Sequence, residues 1–149
     1  MGFRNLLFRH WAIMLAAIFI LIQVVPYGRD HENPSITLEP KWDTEQTRAL
    51  AERTCFSCHS NETHWPWYSQ VAPVSWLVQS DVRSGRRHLN FSEWNKPQRH
   101  AKDSAEQIRK GEMPPWYFLP LHPEAKLTGD EKDALKRGLT NSLGPFPQN

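Results

Sequence analysis

Cys55-Phe56-Ser57-Cys58-His59 is the stretch on which the reading of this sequence turns. Two thiols three positions apart on one short turn can each reach a vinyl group of the same porphyrin, and the adjacent imidazole then faces the iron. Cys-x-x-Cys-His is the attachment signature of c-type haem for that reason. Cys55 and Cys58 are also the only two cysteines among 149 residues, so no other thiol competes for either partner. Other uses of these residues fit less well. A thioredoxin-type dithiol belongs near a βαβ alternation, and the sequence has none. A zinc site would draw on Cys55, Cys58, His59 and His64, with two of the ligands adjacent and the usual spacings missing. A Cys55–Cys58 disulfide would close too small a loop to add much stability. The expectation is one covalent haem c on Cys55 and Cys58, with His59 as the proximal iron ligand.

The N-terminal stretch is expected to cross a membrane. Arg4 and Arg9 precede Trp11–Val25, an apolar run whose one polar member is Gln23. Extended back to Leu6, the run makes a helix of about 30 Å, the thickness of a bilayer core. Arg9 and His10 then lie near one end, where long side chains snorkel. A cleavable signal peptide is the alternative. No small-x-small pair follows the run and no lipobox cysteine is present, so an uncleaved signal anchor is the reading. The basic flank stays in the cytoplasm. The rest of the chain then faces the periplasm, where bacteria attach c-type haem.

Three segments follow from this: an anchor over 1–27, a linker over 28–42, and a haem-binding domain over 43–149. The last is long enough for one small domain. Twelve prolines and seven tryptophans point to a loop-rich fold. Asp43 with Gln46 reads as a capping box opening a helix over Thr44–Arg53. Pro73 opens a second helix, with Val74, Leu77, Val78 and Val82 on one face and Gly85 as its stop. A third is expected from Pro97 to Lys110, ended by Gly111. Thr128 with Glu131 caps a fourth, whose buried stripe is Ala134, Leu135, Gly138 and Leu139. Sustained period-two alternation is absent. The fold class is therefore all-α: about four short helices around one covalent haem, preceded by a single N-terminal membrane helix.

A six-coordinate electron carrier needs a second axial ligand. Met113, in Gly111-Glu112-Met113-Pro114-Pro115, is the candidate, because the two prolines would hold its thioether in an extended loop. Met1 is the first residue and Met14 lies in the anchor, so neither can serve. His122 is the alternative, also following the Pro-rich loop. Bis-His ligation would lower the potential relative to Met/His. His64 is too close to His59 to cross to the distal face, and His88 and His100 read as surface residues.

These motifs together carry a resemblance. Cys55–Tyr68, Val71–Trp76, Gly111–Pro115 and Leu121–Thr128 are similar to the bacterial haem-binding domain family, small and usually membrane-tethered proteins related to cytochrome c. The likeness covers most of Asp43–Leu139. It implies haem attachment at Cys55 and Cys58 and proximal ligation by His59, with distal ligation by Met113 a weaker carry-over. It does not settle the reaction.

Trp65, Trp67, Tyr68, Trp76, Trp94 and Trp116 are expected to wall the haem pocket and fill the core. Arg83, Arg86 and Arg87, beside His88, read as a solvated face, or else as a partner for haem propionates or an acidic redox protein. A formal charge of +2 is too small to imply nucleic acid. The expected function is single-electron transfer between periplasmic or membrane redox proteins, without a small-molecule substrate and without enzymatic turnover. The alternative is a haem-based sensor or gas-binding module with a labile distal ligand. A peroxidase would need an acid–base pair, for which only His64 and Glu112 come into question.

Overall fold

Phe3–Ile22 forms helix α1, apolar on every side from Trp11 onward, with Phe8, Trp11, Ile13 and Leu21 all more than half exposed. The computed structural model describes residues 3–144, so the outer ends of the expected anchor and haem domain (1–2 and 145–149) lie outside it. Within Arg4–Ile22 the mean hydropathy is 1.9, enough in length and composition to cross a membrane. Five further helices follow: α2 (Glu45–Thr54), α3 (Phe56–His59), α4 (Val74–His88), α5 (Ser104–Lys110) and α6 (Gly129–Ser142). The described residues contain no strand, only an isolated bridge between Leu38 and Glu93. The chain is all-α.

The fold divides into two units. The first comprises residues 1–32 and 65–81, and its helices are α1 and the first half of α4. Gln23, just past α1, exchanges two hydrogen bonds with the backbone of Ala72, at 2.9 and 3.0 Å. Gly28 has φ +83° and packs so closely that a Cβ there would lie 2.3 Å from the Ser75 carbonyl oxygen. Both conditions demand glycine. His31 stacks on Trp65, ring centres 4.5 Å apart.

The second unit holds residues 33–64 and 82–149. Its core joins Leu50 and Ala51 of α2, Phe56 of α3, Ile108 of α5, and Leu135 and Leu139 of α6, with Leu89 and Phe91 from the segment after α4. Trp42 and Trp94 pack against it, both close to Phe91. Helices α2 and α6 meet where Gly138 faces Thr47, with no room for a Cβ between them. Arg53 of α2 bonds Glu131 of α6 at 2.7 Å.

Several helix ends differ from expectation. The cap of α2 is Thr44, whose hydroxyl accepts from the Thr47 amide. Asp43 is committed instead to α6, accepting from Ser142 and Asn141 side chains. Helix α4 does not stop at Gly85 but continues to His88. The expected Pro97–Lys110 helix is shorter: a 3-10 turn at Ala101–Asp103 leads into α5. Gln98 holds the preceding segment in a loop, because its buried amide accepts from the Asn90 amide and donates to the Glu93 carbonyl. Gly111, at φ +73°, ends α5 as expected, and α6 carries the full Thr128–Glu131 capping box.

Candidate functional site

Helix α2 delivers the chain directly into the cysteine turn. The Cys55 amide still bonds back to the Ala51 carbonyl at 2.7 Å, and the Cys55 carbonyl accepts from Cys58 and His59 amides at 3.1 and 2.9 Å. One helical turn therefore carries both thiols and the imidazole. Phe56 anchors the turn, buried against Phe91 with ring centres 5.5 Å apart. Neither cysteine is in a disulfide. Burial pushes the Cys55 thiol up to about 11, against a smaller lowering by the Thr54 hydroxyl 3.2 Å from its sulfur. A protonated, buried thiol is the opposite of the low-pKa, accessible thiolate of a redox dithiol.

His59 is set from behind. Its Nδ1–H donates to the Leu89 carbonyl at 2.9 Å, and the Phe91 amide returns a bond to the His59 carbonyl at 2.8 Å. With Nδ1 used as a donor, Nε2 carries the lone pair, the tautomer a metal-ligating histidine requires. Burial lowers the His59 pKa, partly opposed by the Leu89 and Gly85 carbonyls, and the nearby charge of His88 lowers it further. The ring is held neutral.

The segment that supplies the Leu89 carbonyl is fixed by a buried amide network. Asn90 donates to Asn61 at 2.9 Å and caps the Ser92 amide, while the Ser92 hydroxyl accepts from the Asn61 amide. Arg86 closes the other side, donating to the Ser60 carbonyl at 2.7 Å and to Asn33 and Thr63. Gly85 brings α4 onto the turn: a Cβ there would lie 2.3 Å from the Cys58 carbonyl oxygen. None of Leu89, Asn90 and Ser92 carries a local sequence signature, and Gly85 was legible only as a helix stop, whereas α4 runs through it. Arg86 was visible only as part of a basic run, of which Arg83 and Arg87 are indeed exposed.

These features fit a haem: two thiols and an imidazole with its Nε2 lone pair on one turn, and a glycine where the turn needs clearance. The matching family model, haem-binding domain, spans residues 17–141.

The chain belongs to the haem-binding domain family.

No curated protein matches the chain, and no solved structure does. In this haem-binding domain Cys55, Cys58 and His59 are gathered on one turn. The two distal candidates lie on the stretch between α5 and α6. Met113 follows the Gly111 stop, its amide bonded to the Gln107 carbonyl and its side chain 38% exposed. His122 stacks face to face on Phe118, ring centres 3.8 Å apart, and its Nδ1 meets Glu124 at 2.9 Å. The aromatic expectations divide. Trp94 packs against the core, but Trp67 and Trp116 are each 80% exposed. His64 and Glu112 both face solvent.

Proposed function

We propose that this haem-binding domain is a membrane-tethered, periplasm-facing monohaem c-type cytochrome that passes single electrons between membrane or periplasmic redox proteins. The observation that carries this reading is the His59 imidazole, with Nδ1 committed to the Leu89 carbonyl at 2.9 Å on a turn that also bears both thiols. Cys55 and Cys58 would hold the haem through thioether bonds, and His59 would supply the proximal iron ligand. Met113 would be the distal ligand, with His122 as its alternative. When bound, the haem supplies an iron that changes oxidation state by one electron. The chain's own residues keep the imidazole neutral and aimed. The prolines after Met113 limit how far its loop moves. Such a setting needs little rearrangement on electron transfer. An exposed His64 and Glu112 offer no assembled acid–base pair, which supports a carrier over a peroxidase. Helix α1, exposed and apolar beyond His10, supports the tether, and Arg4 and Arg9 support a cytoplasmic N-terminal flank.

The test is spectroscopic. Protein matured with the cytochrome assembly machinery should keep its haem on a denaturing gel and show the corresponding mass increment. Its ferric spectrum should be low-spin, with a far-red methionine-to-iron band that Met113→Ala abolishes. Loss of low-spin character in His122→Ala alone would move the distal role there. The exposure of Met113 is the one observation favouring the second reading, a sensor or gas-binding module. Ready binding of CO by the ferrous wild type would establish that reading instead.

A further inference from the structure

Two histidines that the haem site does not use are paired on the surface of the second unit. His88 ends α4 and His100 precedes the Ala101–Asp103 turn. Both are exposed, and their ring centres lie 5.1 Å apart with planes inclined at 50°. Each ring has its Nδ1 engaged from behind. His88 Nδ1–H donates to the Ser84 carbonyl at 2.8 Å, one helical turn back. His100 Nδ1 meets the Asp103 carboxylate at 3.2 Å. Both Nε2 atoms are left as the lone-pair nitrogens.

That is the arrangement ligating imidazoles adopt: one nitrogen on the ion, the other N–H on a backbone carbonyl or carboxylate that fixes tautomer and ring direction. Two imidazoles bound at about 2.1 Å and spread by a tetrahedral angle have ring centres roughly 5 Å apart. We propose that His88 and His100 form a chelating site for a divalent transition-metal ion, with Cu2+ bound most tightly and Zn2+ less so. The ion class follows from the donors. Neutral imidazoles suit copper, zinc and nickel, whereas magnesium and calcium require oxygen ligands. Arg87, Arg99 and Lys102 outweigh the single carboxylate of Asp103, so attraction by net charge cannot hold an ion and the imidazoles must. The described residues hold no cluster of three or more His, Cys, Asp or Glu arranged for a metal. A two-histidine site therefore leaves the remaining coordination positions to water or to a group from a partner.

Calorimetric titration of the full-length holo-protein with Cu2+ and Zn2+, in excess Mg2+, tests this. One ion should bind per chain. His88→Ala and His100→Ala should each weaken it by more than tenfold, since even an outer-shell change costs roughly 10–100-fold. Asp103→Ala, which removes no ligand, should also weaken it, while His64→Ala should not. Both histidines and Asp103 are exposed, and an unchanged haem spectrum in each variant would verify its fold. The proposal is overturned by loss of affinity in only one of the two histidine variants, by an Asp103→Ala protein that binds normally, or by no binding above Mg2+ competition.

Discussion

Gly85 shows how much one missing methyl group can decide. The helix passes over the Cys58 carbonyl at a distance that admits no Cβ, because one would sit 2.3 Å from that oxygen. Gly85→Ala is expected to force α4 off the cysteine turn and to loosen the Leu89 carbonyl from His59. The cost should reach the upper part of the about 1–3 kcal/mol typical of overpacking. A thermal melt and the haem-to-protein absorbance ratio measure both effects; the melting point and the ratio should fall together. Glu39 supplies a pH dependence. Arg48 donates to both of its carboxylate oxygens, at 2.8 and 2.9 Å, and holds its pKa below the ordinary value, with Trp42 adding a smaller lowering against desolvation. A carboxylate depressed on folding stabilises above its unfolded pKa, about 4.3, and loses that contribution as pH falls through the folded value. Denaturation of Glu39→Gln should therefore show a deficit at pH 7 of about 1 kcal/mol or less, since the pair is partly exposed. The deficit should begin to shrink as pH falls below about 4.3 and close once pH has passed the folded value.

At the scale of elements, the reliable signals were those whose physics is local. The Thr128–Glu131 box closes α6 because both partners lie within one turn, and Gly111 ends α5 because a left-handed residue satisfies the last carbonyls. Thr128→Ala removes the acceptor for the Glu131 amide and should cost about 1 kcal/mol, read by denaturant unfolding. Where a long-range partner competed, the local signal misled. Asp43 had the right spacing for a cap, but Ser142 and Asn141 of α6 took its carboxylate and Thr44 became the cap. Gln98 could have continued a helix from Pro97; its amide instead satisfies the backbone of a buried loop. Arg86 looked like one of several solvated cations and is in fact bonded to the Ser60 carbonyl.

At the scale of the whole molecule, the second unit builds its core from short helices and from residues beside the cysteine turn itself, Phe56, Leu89 and Phe91. A domain this small has little core to spare. A Cys55→Ser/Cys58→Ser protein should accordingly lose much of its helical far-UV circular dichroism. A signal equal to that of the holo-protein would show that the fold closes without a prosthetic group. The all-helical class, the apolar first helix and the proximity of both thiols to His59 were determined by the sequence alone, because each depends on residues within a few turns of one another. The direction of the His59 ring, the clearance at Gly85 and the buried Asn61–Asn90–Ser92 support were decided only by the tertiary structure. Those depend on which carbonyl or side chain arrives from a distant segment, and local spacing carries no record of that arrival.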